Sequence, residues 1–149
     1  MERESRNIYR NAREVAGYTQ ERWAEAIGVS VESVRNYEAG KQLPGDDVVK
    51  AMSEISGLLI LGYWHLGNKS ELAAVMLPRV ERVPLAQAVC GLLSELRRFS
   101  AQEYGQELMV MAADGRIDHM EREQFERIMD ELDGIVRAAI SLKYAESGG

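Results

Sequence analysis

The residues with the clearest potential for recognition chemistry lie in the segment VESVRN, from Val31 to Asn36. The Asn36 amide donates and accepts hydrogen bonds, which matches the N6 and N7 groups of adenine in the major groove of DNA. The Glu32 carboxylate can accept from cytosine N4, and Val31 can contact a thymine methyl. On a helix these side chains fall on the face not used for packing, with Arg35 beside them and Ser33 at the side. If this helix reads DNA, these residues face the groove.

Two short helices around a tight turn would position this face. Thr19 and Ser30 are the predicted N-caps, because their hydroxyls can accept from free N–H groups of the first turn. Gly28 supplies the turn, since glycine tolerates a positive φ, and Gly40 ends the second helix. The predicted packing residues are Trp23, Ala24, Ile27, Val34 and Tyr37. Such a pair is a helix-turn-helix unit, whose second helix can enter the DNA major groove.

This segment resembles the helix-turn-helix of the Xre family, the lambda-type phage repressors and Cro proteins. The matching residues are Thr19, Gln20, Ala24, Ile27, Gly28, Val29, Ser30, Val34, Tyr37, Glu38, Gly40, Leu43 and Pro44. The resemblance covers about residues 5–67 and does not extend to the C-terminal half. It implies a five-helix DNA-binding domain in a transcriptional regulator of phage or mobile-element type.

The resemblance also implies individual roles. Val31, Glu32 and Asn36 match positions that reach base edges. Gln20 matches a phosphate-binding position at a helix start, where free N–H groups and the helix dipole favour an anion. The further phosphate candidates are Ser33, Arg35 and Lys41. The alternative is that all of these are ordinary solvated polar residues.

Arg13 and Glu38 match a pair that forms an internal ion pair in the repressor family. A guanidinium fork on a carboxylate would pin the first helix to the third and fix the angle of the reading helix. The alternative is two unrelated surface charges, which would contribute little to stability.

The rest of the N-terminal half also reads as helical, and no run of alternating β-branched residues indicates a strand. Ser5 is the predicted cap of a first helix whose core stripe is Ile8, Ala12, Val15 and Ala16. Asp46 or Asp47 would cap a fourth helix with Val48, Val49, Met52 and Ile55 inward. Residues 58–66 are predicted to form an apolar fifth helix, too short to span a bilayer. The predicted fold class is all-α: a helix-turn-helix domain over 1–67, a linker over 68–84, in which a short helix can span 70–76, and a helical dimerisation or regulatory domain over 85–149.

The C-terminal half reads as a helical hairpin. Its first helix has an apolar seam of coiled-coil spacing at Leu85, Val89, Leu92, Leu96 and Phe99. Its last helix carries Phe125, Ile128, Leu132, Ile135, Ala139 and Leu142. Because so short a pair cannot bury both stripes alone, a homodimer is expected, with tetramer as the alternative. The predicted dimerisation residues are Leu92, Leu96, Phe99, Ile128, Leu132, Ile135 and Leu142.

Two S/D-x-x-E patterns mark helix starts in this half. Ser100 with Glu103 forms one capping box, so the chain either kinks or starts a new helix there, or continues as one rod. Asp118 with Glu121 forms the second, before the last helix. The acidic loop at residues 114–118 is predicted to be a structural turn. The alternative is a calcium site, but the 12-residue EF-hand pattern is absent.

The sequence contains little that indicates a catalytic or a metal-binding site. No P-loop, G-x-G-x-x-G or catalytic triad is present, so no enzyme activity and no cofactor are predicted. His65 and His119 lack a Cys or His at ligand spacing, which argues against zinc. The single cysteine, Cys90, excludes an internal disulfide, and its apolar neighbours indicate a core thiol in a cytoplasmic protein. The charged first residues give no secretory signal.

The net charge of −6 is unusual for a DNA-binding protein. Residues 1–67 hold 8 Lys and Arg against 10 Asp and Glu. Because phosphate contacts supply most non-specific affinity, weak and salt-sensitive DNA binding is expected unless the basic residues share one face. The alternative function is a protein-binding module, such as an antirepressor, antitoxin or inhibitor, that uses this fold or the C-terminal hairpin.

Overall fold

A computed structural model of the chain describes residues 7–146. The chain folds into two compact units, Met1–Leu77 and Pro78–Gly149. Both units are built from helices, and the described residues contain no strand beyond one isolated bridge. The predicted all-α fold class is therefore confirmed. Ser5, the predicted cap of the first helix, lies outside the described residues.

The first unit consists of short helices around one core. They are α1 (Ile8–Ala16), α2 (Gln20–Ile27), α3 (Val31–Glu38), α4 (Asp46–Ser56), α5 (Leu61–Lys69) and α6 (Glu71–Met76). The most deeply buried large side chains are Trp23, Val34, Met52, Leu58, Ile60 and Leu61. The boundary between the units falls after Leu77. Helix α6, which lies in the segment interpreted as a linker, packs with α5 of the first unit.

The helix starts at Thr19 and Ser30 are as predicted, whereas α1 differs. Asn7 caps α1, because its Oδ1 accepts from the backbone N of Tyr9 at 3.0 Å. The buried face of α1 runs through Tyr9 and Ala12, while Val15 is 41% exposed. The predicted α1 stripe was therefore wrong at Val15. Helix α1 packs against α3, α4 and α5. Because these helices surround it, the Tyr9 side chain is buried although it ends in a hydroxyl.

A chain of polar contacts that runs from the core to the surface joins α1, α4 and α5. His65 is 2% exposed, and its Nδ1 lies 2.8 Å from the Tyr9 hydroxyl. Its Nε2 lies 3.1 Å from Asp46 Oδ1, which also accepts from Lys69 Nζ at 2.8 Å. Burial raises the pKa of the Tyr9 hydroxyl, so this group stays protonated, and it donates to Nδ1 when the imidazole carries its proton on Nε2. One neutral tautomer, with its proton on Nε2, satisfies both contacts of the imidazole.

Asp46 therefore does not cap α4 as predicted. Gly45 is the N-cap residue, no side chain caps the helix, and Asp46 is the first helical residue. The carboxylate contacts His65 and Lys69 instead. The hydrogen bond from Lys69 and then that from His65 hold the pKa of the Asp46 carboxyl below its ordinary value of 3.8.

These contacts predict a pH-dependent contribution to the stability of the first unit. Asp46→Asn should lower the thermal midpoint at neutral pH. Because the folded-state pKa is depressed, this contribution is present above pH 3.8 and is lost as the pH falls through the folded pKa. Tryptophan fluorescence measures it, since Trp23 and Trp64 both lie in the first unit.

Asp47→Asn is the matched control. It removes a second carboxylate from the first turn of α4, where both acids interact with the helix dipole. The difference in midpoint between the two variants should shrink as the medium is acidified below pH 3.8. A difference that is the same at neutral and acidic pH would contradict the assignment.

The second unit is an antiparallel hairpin with a helical turn. Its helices are α7 (Leu85–Ala101), α8 (Tyr104–Met111), a 3-10 turn (Ala112–Asp114) and α9 (Arg122–Lys143). The backbone N–H of Leu85 donates to Glu146 O at 3.2 Å, which places the start of α7 beside the end of α9. At the other end Arg98 of α7 pairs with Glu131 of α9 at 3.2 Å. The core is formed by Tyr104, Met111 and Ile128, with Phe99, Leu108, Ile117, Phe125, Met129 and Leu132 packed against it.

The two capping boxes of this half have different outcomes. Asp118 and Glu121 form theirs: Asp118 N donates to Glu121 Oε2 at 3.2 Å, and Glu121 N to Asp118 Oδ1 at 2.9 Å. Ser100 lies inside α7, and Glu103 has φ 56° with no side-chain cap, so the first box does not form. A new helix starts at Tyr104, whose ring contacts Phe99 at 5.5 Å.

Three of the seven predicted dimerisation residues belong to the core of the hairpin. Ile128 is fully buried, and Phe99 and Leu132, which are partly buried, pack against the same core. Leu92, Ile135 and Leu142 are half-buried, and Leu96 is exposed. Cys90 is also exposed, so the interpretation as a core thiol was wrong. Ala88, rather than Cys90, occupies the buried side of α7.

Candidate nucleic-acid interface

The turn between α2 and α3 fixes the position of the exposed helix α3. Gly28 adopts φ 73°, and its backbone N–H contacts the carbonyls at the end of α2. The N–H of Val29 donates to Ala24 O at 3.0 Å, and Ser30 Oγ accepts from Ser33 N at 3.0 Å. On the inner side Val34 is buried where α3 packs on α2. The turn at Gly28, the cap at Ser30 and the buried Val34 therefore fix the start of α3 and the side on which it packs.

The outer face of α3 carries the predicted base-reading residues. Glu32 is exposed, and Val31 and Asn36 are half-buried. The Asn36 side chain makes no hydrogen bond within residues 7–146, while its backbone carbonyl accepts from Lys41 N at 2.9 Å. Its amide therefore keeps both donor and acceptor groups for an external ligand, on a backbone held at the helix end.

The predicted phosphate contacts differ in how free they are. Ser33 Oγ lies 2.9 Å from Ser30 Oγ, so its hydroxyl is part of the helix cap. Arg35 lies 3.9 Å from Glu21, but both side chains are more than half exposed, so this contact contributes little. Lys41 is exposed and makes no ion pair among the described residues. Lys41 and Arg35 are thus the available cations beside α3.

A buried ion pair connects α1 to the end of α3. Arg13 Nε donates to Glu38 Oε1 at 2.6 Å, and Nη2 donates to Glu38 Oε2 at 3.1 Å. Arg13 Nη1 also donates to the carbonyl of Tyr18 at 2.9 Å. The side chains are only 14% and 8% exposed, so the pair is held away from water. The hydrogen bond with Glu38 raises the pKa of the Arg13 guanidinium further, so the group stays charged.

Gln20 joins the same cluster, which the resemblance did not indicate. Its Nε2 donates to Glu38 Oε2 at 2.9 Å, so the side chain interacts with the protein rather than pointing freely outward. The second amide proton and the backbone N–H of this first α2 residue are left for an anion. We call Arg13, Gln20 and Glu38, with the Tyr18 carbonyl, the Glu38 clamp.

The surface around α3 is electrically balanced. The exposed acids of α2 and α3 are Glu21, Glu25 and Glu32, and the exposed bases from α2 to the loop after α3 are Arg22, Arg35 and Lys41. Arg22 lies over the Tyr18 ring at 5.4 Å. Because the exposed acids and bases of this segment are equal in number, its attraction for a phosphate backbone is small, and hydrogen bonding must supply much of any selectivity.

Neither a metal cluster nor a membrane-spanning helix occurs in the described part of the chain. No group of three or more His, Cys, Asp or Glu within residues 7–146 is arranged to hold a metal ion. In the acidic loop, Asp114 Oδ1 accepts from Arg116 N at 3.0 Å, as in a structural turn. None of the described helices is long and apolar enough to cross a bilayer.

A capped α3 packed on α2, with a polar outer face and an anchored end, defines a DNA-binding helix-turn-helix regulator. Residues 10–57 match the family model HTH_3, Helix-turn-helix, which places this segment among the helix-turn-helix domains of Xre and lambda-repressor type. The predicted resemblance is thereby confirmed for the N-terminal unit, and the match does not reach the C-terminal half. This family is a DNA-binding regulatory domain and not an enzyme family. No curated protein and no solved structure matched the chain.

The Glu38 clamp makes a prediction about stability. Glu38→Ala leaves the Arg13 guanidinium buried without its counter-charge, so the free energy of unfolding of the first unit should fall by about 3–5 kcal/mol. Urea unfolding followed by tryptophan fluorescence measures this, because both tryptophans lie in that unit.

Glu14→Ala is the control, since it removes the exposed Arg10–Glu14 pair, whose side chains are 61% and 42% exposed. Its cost should stay below about 1 kcal/mol. Equal losses in the two variants would show that the buried pair does not stabilise the unit.

Proposed function

We propose that this protein is a sequence-specific transcriptional regulator of Xre type that binds a pseudo-palindromic operator in double-stranded DNA as a homodimer. The observation that carries the proposal is the outer face of α3, where the Asn36 amide has no hydrogen bond to any of the described residues. The family match at residues 10–57 supports DNA as the ligand. The DNA to be read would lie in the cytoplasm of the cell.

In this proposal α3 lies in the major groove. Asn36 forms a bidentate pair with adenine, Glu32 accepts from cytosine N4, and Val31 contacts a thymine methyl. The phosphate contacts come from Gln20, Ser33, Arg35 and Lys41. Gln20 contributes its backbone N–H and one amide proton, since the other is used by Glu38.

The balanced charge of the surface supports selective rather than strong binding. With few unpaired cations, non-specific affinity is low, and the correct base pairs must supply the difference. Two copies would present two α3 helices about one DNA turn apart, so the operator would have two-fold symmetry. The proposed activity is therefore regulation by occupancy of a short symmetric site.

A second function is supported by Glu32 itself. Its exposed carboxylate on the outer face of α3 repels phosphate, and the same surface would suit a protein partner. In that case the chain would act as an antirepressor, antitoxin or inhibitor. The two proposals differ in what the α3 face contacts, and one experiment separates them.

The experiment is selection from a random duplex library by the purified full chain, at near-physiological salt, in parallel with Asn36→Ala. The wild type should enrich a two-fold symmetric site. The variant should lose its preference for adenine at one position of each half-site, because a bidentate contact is worth about 1–3 kcal/mol of discrimination.

Two further variants control for fold and for charge. Asn68→Ala removes an exposed asparagine of α5 and should leave the enriched site unchanged. Lys41→Ala should weaken all sequences alike and reduce the salt dependence by about one counterion. No enrichment by the folded wild type, even at low salt, would contradict sequence-specific DNA binding and favour the protein-binding module.

A further inference from the structure

The outward side of α7 carries a continuous apolar stripe. It consists of Leu85, Val89, Leu93 and Leu96, which are 38–47% exposed although each is a large hydrophobic residue. Their spacing of four, four and three residues places them on one face of the helix. The adjacent side of α7, with Ala88 and Phe99, packs within the hairpin. The helix therefore has two apolar faces, of which α9 and the hairpin core cover one.

The first part of this helix, as far as Ser94, is also free of charge. No charged residue occurs from Val83 to Ser94, although 28% of the chain is charged. The other exposed positions in the first turns of α7 are Ala86, Gln87, Cys90, Gly91 and Ser94. By contrast, the exposed face of α9 carries Glu123, Glu126, Arg127, Asp130, Asp133 and Arg137. A solvated helix face in this unit is thus charged, whereas the α7 face has the composition of a covered surface.

We propose that the stripe binds the same stripe of a second copy, with the two α7 helices antiparallel across a two-fold axis. The stripe is nearly symmetric about Gly91: Val89 and Leu93 lie two residues on either side of it, and Leu85 and Leu96 lie six and five residues away. An antiparallel pair therefore sets Leu85 opposite Leu96 of the second copy, and Val89 opposite Leu93. Such reciprocal pairing is the requirement of an isologous interface.

The charges at the two ends of the stripe complement each other in the same arrangement. Arg97 is exposed one residue beyond Leu96, and Glu81 is exposed four residues before Leu85. Neither makes an ion pair among the described residues. An antiparallel pair brings Arg97 of each copy towards Glu81 of the other. A parallel pair would instead place like charges side by side, which is unfavourable.

This interface deepens the proposed function and rests on it for its role. A regulator that reads a symmetric operator needs two reading helices related by a two-fold axis. The α7 pair supplies that axis from the unit that the helix-turn-helix match does not cover. It also differs from the set predicted from the sequence, because Phe99, Ile128 and Leu132 are used inside the hairpin and Leu93 replaces Leu92.

Cys90 provides a native reporter of this geometry. It is the only cysteine, it is exposed, and it lies on the flank of the stripe close to its middle. In an antiparallel pair the two Cys90 thiols fall on the same side of the two-fold axis at nearly the same height. A short bismaleimide should therefore link two copies without any engineered cysteine.

The test measures the mass of the full chain by sedimentation equilibrium and its cross-linking by the bismaleimide. Wild type should be a dimer that cross-links through Cys90. Leu93→Glu should raise the dimer dissociation constant about thirtyfold or more, because it buries an unpaired charge at the centre of the interface. The matched control is Val136→Glu on α9, since Val136 is 46% and Leu93 47% exposed. The control should stay dimeric, and far-UV circular dichroism should show unchanged helix in both variants.

Three results would overturn the inference. These are a monomeric wild type, a Leu93→Glu variant as dimeric as the wild type, and a dimer whose Cys90 residues do not cross-link. The outcomes also separate this inference from the proposed function. A cross-linked dimer that enriches no DNA sequence contradicts the DNA proposal alone. A monomer that enriches a single half-site contradicts the α7 interface and the dimeric operator, but not base reading by α3.

Discussion

The arrangement of the first unit depends on the Glu38 clamp. One buried carboxylate accepts from Arg13 of α1 and Gln20 of α2 while it is itself the last residue of α3. Three helices thereby meet at one charge. Removing any donor would leave a charge or a polar group unpaired away from water, so the relative angles of the helices are strongly constrained. Asn7 adds a second link from α1 to the end of α3, through its 2.7 Å hydrogen bond to the Tyr37 carbonyl.

This rigidity matters because the face of α3 has little electrostatic help. The chain carries a net charge of −6, and the exposed charges near α3 are balanced. A protein of this kind gains selectivity from hydrogen bonds whose geometry is set in advance, since each misplaced donor or acceptor costs more than it contributes. In our proposal the anchored α3 backbone holds Asn36 for adenine, and Glu32 limits the tolerated base pairs by repelling misplaced phosphates. In this proposal the balanced charge near α3 accounts both for the weak affinity for non-specific DNA and for the dependence of binding on base contacts.

The sequence predicted best those features that depend on local chemistry. Thr19, Gly28 and Ser30 are caps and turn residues whose role depends on a few adjacent backbone atoms, and they lie where they were predicted. It predicted less well where a helix has several neighbours. Asp46 is of a residue type that often caps helices, but its carboxylate contacts His65 and Lys69, which lie 19 and 23 residues later in the chain.

The α7 stripe shows the same limit. Periodicity indicates that a helix has an apolar side, but not which of two adjacent apolar sides faces its own hairpin and which faces outward.

The most direct test of DNA reading by paired α3 helices is hydroxyl-radical footprinting of the full chain on the duplex enriched by selection. Two α3 helices related by a two-fold axis predict two symmetric protected patches with centres about one helical turn, or roughly 10 base pairs, apart. A single patch, or protection without symmetry, would contradict the paired reading helices, and no protection at saturating protein would contradict DNA binding through α3.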